Sequence, residues 1–305
     1  MAVIGIAALV EPGVTITKVG TPMYEDEDAL GGCQTSRYES SGSTRTNDPI
    51  VEQHGQLRLA DPKTLELSDV PSDLQSGSVW KCGPSGPGYA AEFLSRRKKP
   101  LALPEATGTP ISFAGTPSGD HLAIVCSNYQ FVYAYGSSGR LLWKYAVAGR
   151  DRIVALAWAP DGSKLAAAHW TGELTILDGG TGRSLRTLQT AGSVAWAMCF
   201  DAAGRHLAWG DEPYTKISDL ASNAPDVVLL RGSGIVRFSP DGTRLLTGTA
   251  DGSLSLWHSE TGKEMLKLPR LSSAVANAEF SPDSQRIFAT DMSGSLYMDR
   301  TGAAE

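Results

Sequence analysis

Residues 235–262 read Ile-Val-Arg-Phe-Ser-Pro-Asp-Gly-Thr-Arg-Leu-Leu-Thr-Gly-Thr-Ala-Asp-Gly-Ser-Leu-Ser-Leu-Trp-His-Ser-Glu-Thr-Gly. Three short apolar stretches are separated by turns. Val236 and Phe238 alternate with polar neighbours, the period-two mark of a strand. Ser239-Pro240-Asp241-Gly242 is turn chemistry, because proline presets φ and glycine takes φ > 0 without cost. Leu245 to Thr249 is a second strand. Asp251-Gly252 signals a tight hairpin. Leu254, Leu256 and Trp257 form a third strand, and Glu260-Thr261-Gly262 turns the chain again.

The same order of signals recurs through the second half of the chain. Residues 154–182 hold Trp158-Ala159-Pro160-Asp161-Gly162, Leu165, Thr171-Gly172, Leu174, Ile176, Asp178 and Thr181-Gly182. Residues 113–139 hold Pro117-Ser118-Gly119, Leu122, Phe131, Tyr133 and Ser138-Gly139. Residues 200–220 keep Asp201-Ala202-Ala203-Gly204 and Leu207, and residues 280–302 keep Ser281-Pro282-Asp283, Ile287, Gly294, Leu296 and Thr301-Gly302. The turn anchors Pro117, Pro160, Ala202, Pro240 and Pro282 are spaced 43, 42, 38 and 42 residues apart. That period is the length of one four-stranded propeller blade.

On these residues the chain resembles the WD-repeat β-propeller family. The resemblance is carried by the Ser/Ala-Pro-Asp-Gly turns, the Asp251-Gly252 hairpin, the Leu-x-Leu-Trp run ending at Trp257, and the Thr-Gly turns at 181–182, 261–262 and 301–302. It is clear over residues 109–302. It departs from the family in lacking the Gly-His dipeptide before each first strand, and the terminal Trp-Asp is replaced by Trp257-His258, Leu177-Asp178 or Ser218-Asp219. The family's buried Asp–His–Ser/Thr–Trp network is therefore not expected as a full set, although Asp251, Thr249 and Trp257 retain the residue types for part of it. The resemblance implies an all-β fold, a single propeller over 1–305. Its blades are four-stranded and antiparallel, seven by count with six as the alternative.

The N-terminal third is harder to place. Ala2 to Val10 and Val14 to Val19 read as strands around Glu11-Pro12-Gly13. Residues 31–54 are rich in small polar types and read as a mobile loop. Gly55 to Thr64 matches Gly172 to Thr181 position for position, the outer half of a blade. Pro84-Ser85-Gly86 followed by Tyr89 to Phe93 resembles the next turn and second strand, so 55–108 holds two degenerate blades. Arg96-Arg97-Lys98-Lys99 lies where the third strand of that blade is expected, and as a basic run it is also the pattern of a nuclear-import signal. The last blade ends after its third strand. The family resemblance implies that an N-terminal strand, Val14 to Val19 or Ala2 to Val10, closes the ring and removes its open edge, in cis or from a second copy.

Composition agrees with a turn-rich β-protein: 305 residues, 41% hydrophobic, with 33 Gly and 17 Pro. The net charge of −6 argues against binding along a phosphate backbone. Cys33, Cys82, Cys126 and Cys199 are too scattered for a metal knuckle or a redox pair. Their spacing suggests no disulfide framework, which points to a reducing, cytoplasmic setting. No apolar run approaches a membrane span.

Catalytic motifs are missing where their spacing would betray them. There is no Gly-x-x-x-x-Gly-Lys-Ser/Thr phosphate loop, and Gly136-Ser137-Ser138-Gly139 is a repeat turn rather than a nucleophile elbow. His121 and His206 share a repeat position with Lys164, Arg244 and Arg286, so they read as surface residues and not metal ligands. No cofactor is expected. What breaks the repeat rule is the loop between second and third strands. Where Ala250-Asp251-Gly252 is small and polar, the equivalents are Asn128-Tyr129, His169-Trp170, Glu212-Pro213-Tyr214 and Asp291-Met292. Aromatic residues and Met are enriched at interface cores. Tyr129, Trp170, Tyr214 and Met292, with Arg150 and Arg152 as charged rim, are therefore the candidate contact patch for another protein or peptide. The reading is a non-catalytic scaffold, a subunit or regulator in a larger assembly. The alternative is a small-molecule-binding or hydrolytic propeller using the central channel. The first strands begin with apolar Ile153, Val194 and Val275, against that alternative.

Overall fold

The computed structural model describes residues 50–53, 56–60, 67–69, 80–85, 88–93, 101–102 and, from 110 to 300, all but 127–130, 148, 150, 191–193, 212–213, 223, 230–233, 281–282 and 294–295. The strands proposed for Ala2 to Val10 and Val14 to Val19, the 31–54 loop but for Ile50–Gln53, and the Arg96–Lys99 run lie outside the described residues.

Every regular element among the described residues is a strand. In chain order the first sheet holds β1 (Ile50–Gln53), β2 (Gln56–Ala60) and β3 (Leu67–Asp69). The second holds β4 (Trp80–Ser85), β5 (Gly88–Phe93) and β6 (Leu101–Ala102). Its third strand thus begins just after the basic run instead of containing it. Four sheets of four strands follow. They are β7 (Pro110–Gly115), β8 (His121–Cys126), β9 (Phe131–Gly136) and β10 (Leu141–Ala146), then β11 (Ile153–Trp158), β12 (Lys164–His169), β13 (Glu173–Asp178) and β14 (Ser184–Gln189). Next come β15 (Met198–Phe200), β16 (His206–Asp211), β17 (Tyr214–Asp219) and β18 (Val227–Leu229), then β19 (Ile235–Phe238), β20 (Arg244–Gly248), β21 (Leu254–His258) and β22 (Glu264–Leu268). A last sheet holds β23 (Val275–Phe280), β24 (Arg286–Asp291) and β25 (Leu296–Arg300). Each sheet is an antiparallel meander whose neighbours in space are neighbours in sequence. This is the blade architecture that the repeats imply.

The described residues fall into two compact units, one with β1–β3 and β19–β25, the other with β4–β18. In the second unit the strands explain their own composition. β11 is buried at all six positions, and β12 at five of six. Alternate residues of β12 serve different cores. Ala166 and Ala168 pack with Met198, Phe200 and Trp209, whereas Leu165 and Ala167 pack with Trp143 and Trp158. A strand covered on both faces loses the polar alternation of a surface strand and reads as an apolar run. The outermost β14 has only one covered face and is exposed at alternate positions and at its start. In the first unit, Ile235, Leu246, Leu254, Leu256, Phe280 and Ile287 build the corresponding core.

The turn between first and second strands is the most regular device in the chain. A backbone bond closes it at Gly119→Thr116, Gly162→Ala159, Gly204→Asp201 and Gly242→Ser239, each between 2.8 and 3.0 Å. These glycines sit at φ between +64° and +73°, where L side chains are strained. Where the first turn residue carries an oxygen, that oxygen also accepts the N–H five residues on: Thr116 from His121, Asp201 from His206, Ser239 from Arg244. Asp201 makes this bond in the repeat that has Ala202 where the others carry proline. Ser284 fills the glycine position in the last sheet at φ 60°. Its hydroxyl accepts from Asp241 N and its carbonyl from Arg244 Nη2, so it links two successive turns.

Two expectations change. Val194 does not open a first strand, since β15 begins at Met198. Trp257 donates Nε1–H to Thr247 at 2.8 Å, not to Thr249. Thr249 lies just past the end of β20, where its hydroxyl donates to Asp251 within the hairpin turn.

Candidate functional site

The hairpin between β12 and β13 carries a chain of linked polar side chains. His169 ends β12, Trp170 and Thr171 turn the chain, and Glu173 opens β13. Gly172 N–H closes the turn on His169 O at 3.1 Å. Asp151, two residues before β11, reaches back across it. Its Oδ2 lies 2.6 Å from His169 Nδ1 and accepts from Thr171 Oγ1 at 3.0 Å, while Oδ1 accepts Arg152 N–H at 2.8 Å. His169 Nε2 lies 2.9 Å from Thr175 Oγ1. With the carboxylate fixing the proton on Nδ1, Nε2 accepts from the threonine hydroxyl.

Carboxylate, imidazole and hydroxyl in that order are the components of a nucleophilic triad. Here the hydroxyl is out of reach. Thr175 is 4% exposed in the middle of β13, opposite Ala167 and Thr187. The chain of bonds works as a clasp that ties the lead-in of the first strand to the hairpin of the next two. Asp151, His169 and Glu173 also bring their donor atoms within 4.8 Å of one another, a spacing open to a cation. Both His169 nitrogens are already engaged, and Glu173 Oε1 accepts from Gln189 Nε2 at 2.8 Å. Hydrogen bonds account for this cluster.

Burial alone would raise the Asp151 pKa. The Arg152 N–H, His169 and Thr171 outweigh it and hold the carboxyl below its ordinary value. Asp251 is lowered to about 2, chiefly by Thr249 and Ser253. Asp241 is lowered as well, the bonds from Ser239, Thr243 and Arg244 outweighing its partial burial. Folded-state values below the unfolded value of about 3.9 mean that the unfolded chain binds protons first on acidification. Stability should therefore be level above about pH 5 and fall between about pH 4 and 2. Urea midpoints measured across that range check this. In Asp151→Asn the midpoint should be lower at neutral pH and fall less steeply with acid.

Other sheets are closed by other residues. Asp291 accepts from Ser272 Oγ at 2.5 Å and from Ser293 N at 3.0 Å. Trp209 Nε1 donates to Ser218 Oγ at 3.0 Å, which in turn donates to Asp226 at 2.7 Å. Tryptophan and hydroxyl have exchanged strands relative to Thr247 on β20 and Trp257 on β21.

The structure places the predicted contact residues as follows. Trp170 is exposed at 56% and Tyr214 at 39%. They occupy corresponding ends of neighbouring sheets, with Tyr214 as the first residue of β17 and not a loop residue. Trp170 stands edge-on to Trp196, ring centroids 5.7 Å apart, and its N–H donates to Arg152 O at 2.8 Å. Arg152 is exposed beside it. Met292 is half-buried and belongs to the other unit, its N–H bonded to Ala274 O. Tyr129 and Arg150 lie outside the described residues. His169 is buried at 4% and is a strand residue rather than part of an exposed loop. Sequence reasoning missed Trp196 and Thr175, and it took Asp151 only for part of the charged rim with Arg150 and Arg152. The one available signal was Asp151, an acidic residue just before a first strand, where the family carries its histidine. Neither Cys126 nor Cys199 is disulfide-bonded. Burial pushes the Cys126 thiol up to about 11, as for a core residue.

Two family models match this chain. Residues 114–210 match the WD40 domain of anaphase-promoting complex subunit 4, and residues 233–258 match the WD domain, G-beta repeat. The chain carries WD repeats. The first match spans β8 to β15 and most of β16, and the second coincides with β19 to β21, the stretch whose turns opened the sequence reading. No curated protein sequence is a significant match to the chain. WD domains generally mediate protein–protein interactions. No helix among the described residues is long and apolar enough to cross a membrane.

Proposed function

We propose that this protein is a non-catalytic WD-repeat scaffold that binds another protein or peptide through the rim bearing Trp170 and Tyr214, as a subunit of a larger assembly. One observation carries the reading. Trp170 presents more than half its surface to solvent from a hairpin held by the Asp151–His169–Thr175 clasp. A large aromatic side chain left out on a rigid support is the usual form of an interface anchor, and Trp196 gives it a fixed orientation. Arg152 supplies charge at the edge. Support for assembly membership comes from the match over 114–210, whose family is named for a subunit of a complex. We further propose one propeller of seven blades, closed by a strand from the N-terminal segment. Seven sheets among the described residues support the count.

Affinity capture with the wild-type chain beside Trp170→Ala/Tyr214→Ala, read by mass spectrometry, tests the proposal. The double variant should keep its fold, since exposed positions change stability by about 0.5 kcal/mol each or less. It should lose at least one protein that the wild type recovers in stoichiometric amount. Equal recovery by both would move the interface elsewhere. An unfolded double variant would show that the two rings cover the chain's own core.

A further inference from the structure

A second surface lies at the other end of β12, about 20 Å along the strand from Trp170 at ~3.3 Å per residue. It is a groove of about 360 Å³ between the sheet of β11–β14 and the sheet of β15–β18, lined by Lys164, Ile176, Leu185, Arg186, Leu220 and the Ala221-Ser222 turn. On its apolar side Leu185 stands 55% exposed on β14. Its two cations are held by neutral oxygens. Arg186 Nη1 donates to Asp219 O at 2.9 Å and to Ser222 O at 2.8 Å, and Lys164 Nζ donates to Gly204 O at 3.1 Å and Ser163 Oγ at 3.4 Å. The nearby carboxylates are spent or outside the groove. Asp219 is bonded to Arg205 through both oxygens and also accepts from Ala221 N–H and Ser222 Oγ. Asp178 caps Thr181, and Asp161, which feels Lys164 only through its field, caps Ser163 on the exposed turn.

Beside these groups β14 is the last strand of its sheet, bonded only to β13. A strand edge offers unpaired N–H and C=O groups to an extended chain. We propose that this groove docks an extended peptide segment of a partner protein, aliphatic side chains packing on Leu185 and Leu220 and a carboxylate meeting Arg186 and Lys164. Two positive charges without a carboxylate partner favour an acidic occupant over a basic one, and the exposed leucine rewards an aliphatic residue next to the acid. Arg186 is already oriented by its two carbonyl bonds, so its remaining donors meet a carboxylate with little further ordering. This site is independent of the Trp170 rim.

The test is a pooled selection of octapeptides on the immobilised full chain. One pool carries two aspartates and two leucines in all orders among glycines, and a matched pool carries lysine for aspartate. Wild type should enrich the acidic pool over the basic one by about tenfold or more. Arg186→Glu should abolish or reverse that preference. Because Arg186 also binds two carbonyls, Leu185→Asp serves as the second variant. It disturbs no side-chain hydrogen bond and should reduce acidic-pool recovery by a similar factor while far-UV circular dichroism stays unchanged. Trp170→Ala/Tyr214→Ala should bind both pools as wild type does. Equal recovery of the two pools by wild type, or an acidic preference that survives Leu185→Asp, overturns the proposal.

Discussion

Trp209→Ala should remove about 3–5 kcal/mol from the unit that holds β4–β18, the range for deleting a large buried aromatic side chain. Trp209 is fully buried and among the largest side chains so placed. It closes the core formed with Ala166, Ala168, Leu174, Ile176 and Phe200, so the cavity opens between two packed sheets. The indole has polar work as well. Its N–H donates to Ser218, and Lys216 Nζ lies 4.9 Å from a ring centroid. Neither alanine nor phenylalanine restores the N–H, but phenylalanine fills much of the volume, so Trp209→Phe should cost about half as much. Urea unfolding followed by near-UV circular dichroism reads both. A loss below about 1 kcal/mol for the alanine variant would mean that the two sheets do not depend on each other.

The second large effect comes from a single methyl group. Gly179→Ala would put a Cβ 1.9 Å from Gly162 O and 2.9 Å from the carbonyl carbons of Gly162 and Ser163. The clash is with backbone, and the backbone cannot swing aside as a flexible side chain would. Gly179 N–H also donates to Ser163 O, and Trp143 Nε1 donates to Gly179 O, both at 2.8 Å. Moving the turn strains or breaks both bonds and unseats Trp143 from its place beside Trp158. Overpacking of about 1–3 kcal/mol plus about 0.5 for each of the two weakened hydrogen bonds gives an expected loss of about 2–4 kcal/mol. Gly180→Ala is the matched control. Its nearest neighbour would be Asp178 Oδ1 at 3.7 Å, at an exposed position, so its cost should stay near 0.5 kcal/mol. Thermal midpoints of the two variants should differ by several degrees. Similar midpoints would show that the turn relaxes freely.

Much of this architecture was legible because its signals are local. A Pro-Asp-Gly or Ala-Ala-Gly turn, followed by an apolar stretch and an Asp-Gly or Thr-Gly turn, specifies a meander without knowledge of distant residues. Hence most strands from β7 onward fall where the repeat puts them, the late start of β15 at Met198 apart, and even Gly55 to Thr64 holds a strand of a sheet. The exposure of Trp170 and Tyr214 was legible for the same reason: a bulky residue in a tight hairpin has nowhere to go but outward. The clasp was not legible. Asp151, His169 and Thr175 meet only because β11, β12 and β13 pair in one register, and a one-residue slip would send each to the other face. Trp257 shows the point in miniature, since Thr247 and Thr249 share a face of the strand direction but only Thr247 lies within β20. The groove beside Arg186 was invisible too. It depends on the turn after β17 approaching β14, residues some 35 positions apart that no repeat motif connects.

The two-sided burial of β12 bears on how the chain comes to be folded at all. Hairpin contacts form between residues close in sequence and so close quickly. A single meander, however, leaves Ala166 and Ala168 bare on one side until Phe200 and Trp209 have been added. The β11–β14 repeat does not reach its final stability before the next one has formed against it. During synthesis the growing chain therefore always carries one unfinished apolar surface at its leading end. Shielding from aggregation matters most there, and it is transferred one repeat at a time as the chain lengthens.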